Sequence, residues 1–262
     1  VKALLGAFRL ARAVLHGLHG VAVVLLLFPR LDRNARQARV QWWSAGMLRA
    51  LGIALEVEGR FKPGRKLIVA NHITWLDIMV VHAVCPQARF VSKADVQGWP
   101  LVNRLVAAAD TLYLQREKRR DAMRVVHQMA EALAAGDTVA VFPEGTTSEG
   151  HGLLPFHANL LQAAIAAEAP VQPVALRYAD AEHAVSPAAM FVGETTLPQT
   201  LWRLASAHGL RVRMQVLAPE GTTHADRRAL AARLQGLIGE ALNSEKPSGA
   251  AAAGAQPADS PR

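Results

Sequence analysis

From residue 53 onward, short apolar runs alternate with stretches of helical spacing, and that alternation leaves the chain few possible architectures. The apolar runs lie at 53–57, 67–70, 89–92, 111–114, 138–142, 171–177 and 212–217. The helical stretches lie at 75–84, 101–109, 119–135, 158–167, 197–208 and 224–242. Within 119–135, Met123, Val126, Met129, Ala130 and Leu133 recur at helical spacing, and Gly136 follows as a C-cap. Strands that alternate with helices build a sheet covered by those helices. The expected fold over 53–243 is therefore α/β, a central and mostly buried sheet flanked by helices.

The first 52 residues read differently. An uncharged run at 13–29 lies between Arg12 and Arg30. At about 1.5 Å per residue, a helix of that length falls a little short of a hydrocarbon core about 30 Å thick. It ends in Leu27-Phe28-Pro29-Arg30, which is not the small-residue site of a cleaved signal peptide. Lys2, Arg9 and Arg12 precede it, and Arg30, Arg33, Arg36 and Arg39 follow, so charge sets no orientation. A second helical stretch at 35–51 carries Trp42, Trp43, Met47 and Leu48, and tryptophans beside a basic segment suit the headgroup level of a bilayer. Residues 1–52 are expected to form a membrane-associated helical anchor, either a helical pair in one leaflet or a single spanning helix, with a buried core helix as the alternative to membrane attachment. The stretch 244–262, rich in Pro, Gly, Ala and Ser, is expected to be a disordered tail.

Lys and Arg number 29 against 21 Asp and Glu, a net charge of +8 that suits an anionic partner. Aromatic residues make up 5% and no RNP-like, zinc-finger or basic-heptad pattern occurs, so nucleic acid is not that partner. Cys85 is the single cysteine, which excludes an intrachain disulfide framework and a thiolate zinc cluster and fits a reducing compartment.

Candidate chemistry concentrates after the run at 67–70, in Asn71-His72-Ile73-Thr74-Trp75-Leu76-Asp77. Loops at the carboxyl ends of strands are where α/β enzymes place reacting groups. On one continuous helix His72 and Asp77 would lie about 140° apart. They meet only if His72 sits in the turn before the helix, with Thr74 as N-cap and Asp77 in the first turn. A carboxylate holding one imidazole nitrogen leaves the other free to take a proton from a hydroxyl. Thr74-x-x-Asp77 also reads as a capping box, which needs no catalysis. A second loop, Phe142-Pro-Glu144-Gly145-Thr146-Thr147-Ser148-Glu-Gly150, offers backbone N–H groups to an oxyanion or phosphate, or is a plain surface loop. Its Pro-Glu-Gly-Thr-Thr recurs at 219–223, where Thr223 and Asp226 read as the capping box of a last helix. Arg116, after the run at 111–114, is placed to hold an anion.

Asn71-His72-x4-Asp77, Tyr113-Leu-Gln-Arg116, Phe142-Pro-Glu-Gly-Thr146 and Val171-Gln-Pro173-Val174, in this order, resemble the four blocks of the PlsC-type glycerolipid acyltransferase family. The resemblance implies transfer of a fatty acyl group from a thioester, either acyl-CoA or an acyl carrier protein, to a lipid hydroxyl. His72 would be the general base and Asp77 would orient it, with direct attack on the thioester carbonyl and no acyl-enzyme. Asn71, Glu144, Gly145, Thr146 and Thr147 would shape the acceptor and oxyanion region, and Arg116 would hold the acceptor's anionic head. Thr147 stands where the family often has Arg, which removes a bidentate grip on phosphate. The acceptor implied is 1-acyl-sn-glycerol 3-phosphate, giving phosphatidic acid, with a lyso-ornithine lipid as the alternative. The expected partners are the lysolipid acceptor, the thioester donor (the basic surface suiting an acidic carrier protein) and membrane lipids, at the cytoplasmic face of the inner membrane. No metal or cofactor beyond the thioester co-substrate is expected. A catalytically silent lipid-binding or tethering protein of the same fold is the competing class.

Other chemistries lack their residues. No Gly-x-Ser-x-Gly elbow occurs, and 59–66 lacks the Gly-Lys-Ser/Thr end of a P-loop. His151 and His157 have no acidic or thiol companions at metal spacing, and Cys85 falls among apolar neighbours as a packing residue.

Overall fold

A computed structural model describes residues 2–93, 102–108, 111–114 and 119–244. Two helices come first, α1 (Lys2–Leu26) and α2 (Arg33–Leu51), joined by a 3₁₀ turn at Phe28–Arg30. Then follow β1 (Ala54–Glu58), β2 (Lys66–Ala70), α3 (Leu76–Val84), β3 (Ala88–Lys93), α4 (Val102–Ala108), β4 (Leu112–Leu114), α5 (Arg119–Ala134) and β5 (Thr138–Val141). After a 3₁₀ turn at Ala158–Leu161 come α6 (Gln162–Ala166), β6 (Val171–Ala179), α7 (Leu197–Ser206), β7 (Arg211–Val216) and α8 (Arg227–Asn243). Each expected strand and helix has a counterpart. Arg116 and the segment from 245 onward lie outside the described residues.

The seven strands form one sheet in the order β1-β7-β6-β2-β5-β3-β4. Neighbours are parallel except β6 and β7. Central β2 is buried at every position, which is why it reads as an unbroken apolar run after Lys66. Its side chains alternate between two cores. Ile68 and Ala70 join the cluster under α2, α3 and α7, while Leu67 and Val69 join the cluster under α5, α6 and α8. Because β2, β5 and β6 run the same way, the loops leaving β2 and β5 open on one edge of the sheet. Strand β6 continues past the end of β2: Ala70 pairs with Val174, and β6 runs on to Ala179 beside β7.

Two details correct the expectations. The last helix begins at Arg227, not 224, with Asp226 as N-cap accepting from Arg228 N and Ala229 N. Thr223 takes no part in that cap, and Thr222 is buried instead with its hydroxyl donating to Ala169 O at 3.1 Å. The expected helix at 158–167 is divided, a 3₁₀ turn leading into α6.

Helix α1 is far longer than the uncharged run. It extends back through Arg9 because that guanidinium finds acceptors at the end of α7, Ala207 O at 2.8 Å and Ala205 O at 3.3 Å. A cation at a helix C-terminus meets both orphan carbonyls and the negative end of the dipole. Arg33 at the start of α2 pairs with Asp137, which also accepts from Arg89 at 2.8 Å. The helical pair is thus packed and bonded onto the α/β body. Among the described residues, Ala3–Arg30 is the one stretch long and apolar enough to cross a membrane.

Candidate active site

Strand β2 ends at Ala70, and Asn71 continues its path beside β6. The Asn71 amide accepts from Leu176 N at 2.7 Å and donates to Leu176 O at 2.9 Å, extending the sheet with a side chain. The backbone then turns through His72, Ile73 and Thr74 into α3. Asp77, in the first turn of α3, is fully buried and reaches back over that turn. Its Oδ2 accepts from His72 Nδ1 at 2.9 Å, Ile73 N at 2.7 Å and Thr74 N at 3.0 Å. Its Oδ1 accepts from the Tyr178 hydroxyl at 2.8 Å.

The expected dyad therefore forms, with His72 in the turn and Asp77 in the helix. The expected cap does not. Trp75, not Thr74, is the N-cap of α3, and the Thr74 hydroxyl is buried with no hydrogen bond. Only the carboxylate half of the capping box is present, on Thr74 N, and the same oxygen holds the imidazole.

An ionised carboxylate only accepts hydrogen bonds, so Nδ1 carries the proton of a neutral His72 and Nε2 keeps its lone pair. The His72 side chain is 18% exposed, the Asp77 side chain 0%. Phe142, just past β5, stacks on the imidazole with centroids 4.0 Å apart and 5° between planes, so the ring is fixed in orientation as well as tautomer. The arrangement suits proton abstraction from a hydroxyl presented at Nε2.

The loop after β5 supports this turn from the other side. Glu144, buried, accepts from His72 N at 2.7 Å through Oε1 and from Leu154 N at 2.9 Å through Oε2. Burial pushes its carboxyl up from the ordinary value, against the downward pull of those two N–H groups. Ser148 N donates to His72 O at 2.8 Å, and the Ser148 hydroxyl to the same carbonyl at 3.1 Å. Gly145 turns the loop at φ +70°, a region glycine enters without penalty, and its N–H donates to Phe142 O at 3.1 Å. Thr146 is exposed at the loop tip, and the Thr147 hydroxyl donates to Phe191 O.

Asn71, Glu144, Gly145, Thr146 and Thr147 are thus brought around the His72 turn. The polar side-chain atoms of Asn71 and Glu144 are engaged by backbone and act as straps. Sequence reasoning missed Tyr178. The only sequence signal was a rare residue type, one of two tyrosines, immediately after an expected strand. Cys85 is buried, and burial pushes its thiol up to about 11, which suits packing rather than attack. Among the described residues no group of three or more His, Cys, Asp or Glu side chains is placed to hold a metal ion.

From the dyad a row of rings crosses the core beneath α3. Phe142 stacks on Phe90 at 5.4 Å, and Phe90 meets His82 edge-on at 5.1 Å. His82 is buried and hydrogen-bonded to Ala88 O, and burial lowers its pKa to about 4, so the row is uncharged at neutral pH. His82 also lines a narrow apolar slot with Val23, Val24, Val40, Leu105 and Ala108, between α1, α2 and α4.

The chain has relatives among known proteins. The family model described as Acyltransferase matches residues 54–177. Over 197 residues the chain is 39% identical to the 1-acyl-sn-glycerol-3-phosphate acyltransferase of Neisseria meningitidis serogroup B, covering 74% of this chain and 76% of that one. The chain belongs to the PlsC-type acyltransferase family. As a member of that family it is a glycerolipid-type acyltransferase. It is also 35% identical to the lyso-ornithine lipid O-acyltransferase of Pseudomonas aeruginosa over 246 residues, covering 92% of this chain and 94% of that one. The crystal structure of the 1-acyl-sn-glycerophosphate acyltransferase PlsC from Thermotoga maritima shares the fold, with TM-score 0.69 at 18% identity over 93% of this chain and 97% of that one.

Proposed function

We propose that this acyltransferase moves a fatty acyl group from a thioester donor, acyl-CoA or an acyl carrier protein, to the free hydroxyl of 1-acyl-sn-glycerol 3-phosphate, yielding phosphatidic acid. The observation that carries the reading is the 2.9 Å bond from His72 Nδ1 to Asp77, which leaves Nε2 as a base. In the proposed step Nε2 takes the acceptor's hydroxyl proton while the oxygen attacks the thioester carbonyl. The thiolate leaves and is reprotonated from the imidazolium, so no acyl-enzyme forms and no cofactor beyond the co-substrate is required. The acceptor assignment draws on the likeness to the Neisseria protein. On this reading Arg116 holds the acceptor's phosphate, and the net charge of +8 favours an acidic donor carrier.

The α1–α2 pair is proposed to seat the enzyme on a membrane. Leu4, Phe8, Leu15, Leu18 and Leu25 are exposed on α1 at helical spacing, and Trp42 and Trp202 are exposed on neighbouring helices. A stripe of this kind lies in the headgroup–acyl boundary of a leaflet.

Two observations favour a second acceptor, a lyso-ornithine lipid. Thr147 supplies a hydroxyl, already donated to Phe191 O, where the family often has a guanidinium. The Pseudomonas relative, so named, covers nearly the whole chain. Offering both acceptors in parallel to detergent-purified enzyme with one donor tests the assignment. Faster turnover of 1-acyl-sn-glycerol 3-phosphate is expected, and preference for the ornithine lipid would move the substrate while leaving the reaction in place.

The slot beyond His82 is proposed to take the fatty chain. Val24→Phe fills it, since a phenyl ring is larger than the isopropyl group it replaces, and overpacking a tight apolar site is costly. The expected result is a shift in donor preference toward shorter chains, with Tm lowered by no more than a few degrees. Unchanged chain-length preference would place the acyl chain elsewhere.

A further inference from the structure

We infer that Tyr178 is a positioning residue for the His72–Asp77 dyad, and that Asn71 sets the strand register that brings it there. The inference rests on the dyad acting as the base, as proposed above. Tyr178 is fully buried on β6, beyond the last residue that pairs with β2. Its hydroxyl donates to Asp77 Oδ1 at 2.8 Å, while the other carboxylate oxygen is filled by His72 Nδ1 and two backbone N–H groups.

The consequence for the carboxylate is specific. With Oδ2 carrying three donors and Oδ1 the phenol, Asp77 is held in its plane at both ends and cannot rotate away from the imidazole. The phenol is a donor without a charge, so it steadies the anion in a buried place without competing with His72 as a cation would. Burial first, and Asp77 beside it second, hold the phenol well above its ordinary value, so it stays a donor across the working pH range.

Asn71 makes the reach reproducible. Its amide bonds both the N–H and the C=O of Leu176, two residues before Tyr178. Residues two apart on a strand point to the same face. Leu176 and Tyr178 both face the core that contains Leu76 and Ile73, the side on which Asp77 lies. A slip of one residue would turn Tyr178 to the opposite face and leave Oδ1 without its donor.

The test is Tyr178→Phe, which keeps the ring in its packing and removes one hydroxyl. The titratable groups around the dyad are Glu144, whose Oε1 accepts from His72 N, and Tyr178 itself; His82 lies two rings away. Losing the phenol leaves the carboxylate a stronger acceptor for Nδ1–H, so the imidazole holds a proton to higher pH. The expected result is a fall in kcat of about tenfold, from one hydrogen bond to a charged group, with KM for both substrates unchanged. The acid limb of the kcat/KM profile should move to higher pH. The His72 imidazole titration, followed by NMR in enzyme without substrate, should move the same way.

A variant whose pH profile and imidazole titration superpose on those of wild type overturns the inference, whether or not its Tm falls. The NMR arm does not depend on acyl transfer. If purified wild type moved no acyl group yet the imidazole titration shifted in the variant, the proposed reaction would fail while the positioning role stood.

Discussion

His72→Ala is expected to lower acyl transfer by about a thousandfold, the scale of a positioned general base. The side chain contributes little else. It is 18% exposed, its ring touches Phe142 on one face, and among the described residues its side chain hydrogen-bonds only to Asp77. After the substitution Asp77 Oδ2 still accepts from Ile73 N and Thr74 N, and the turn is still held by Glu144 on residue 72's backbone N–H. Far-UV circular dichroism and Tm should therefore match wild type while release of free thiol from the donor collapses. A variant that consumed donor at the wild-type rate with unchanged fold would show that the proton leaves by another route. A wild type that turned over no donor under any acceptor would favour the silent binding protein.

Asp77→Asn is expected to cost nearly as much, for a different reason. The carboxamide has one oxygen, and the position facing His72 Nδ1, Ile73 N and Thr74 N can only be filled by that oxygen. The NH2 then faces Tyr178, whose oxygen turns to accept. Geometry and tautomer survive, and the negative charge does not. The imidazolium that forms as Nε2 takes the proton is left without its counter-charge in a buried setting, where such a charge matters most. A fall in kcat of about a thousandfold is expected, and the double variant with His72→Ala should be no slower than His72→Ala alone, because the two residues act as one unit. Multiplying losses in the double variant would mean that Asp77 works independently of His72.

Much of the fold was legible because a buried sheet writes itself into sequence. Strands β2, β5 and β6 are apolar on both faces, and helices between them follow 3.6-residue spacing. The dyad was legible as well, since His72 and Asp77 lie within one turn and helix start. What escaped depends on pairing between distant segments. Tyr178 reaches Asp77 only because Ala70 aligns with Val174, a register no local pattern states. Asn71 looked like a group for substrate and is spent on Leu176 for the same reason. Thr74 looked like the cap of α3, but the Asp77 N–H that its hydroxyl would accept from donates to the Thr74 carbonyl instead, at 3.1 Å. The start of α8 was misplaced because a repeated Pro-Glu-Gly-Thr-Thr drew the cap to Thr223, whereas Asp226 has the free geometry to accept two N–H groups.

The Arg9 clasp on the end of α7 has a consequence for how the enzyme meets its lipids. A hinge between anchor and body would let the dyad swing over a range of heights above a bilayer. Two hydrogen bonds from α1 into Ala205 and Ala207, with Arg33 on Asp137 farther along, make the apolar stripe and the His72 turn parts of a single rigid frame. On the proposed seating, such a frame works as a depth gauge. Only hydroxyls carried at one level of the leaflet come into line with Nε2, so the distance between a lysolipid's hydroxyl and its tail becomes a criterion for selection in its own right.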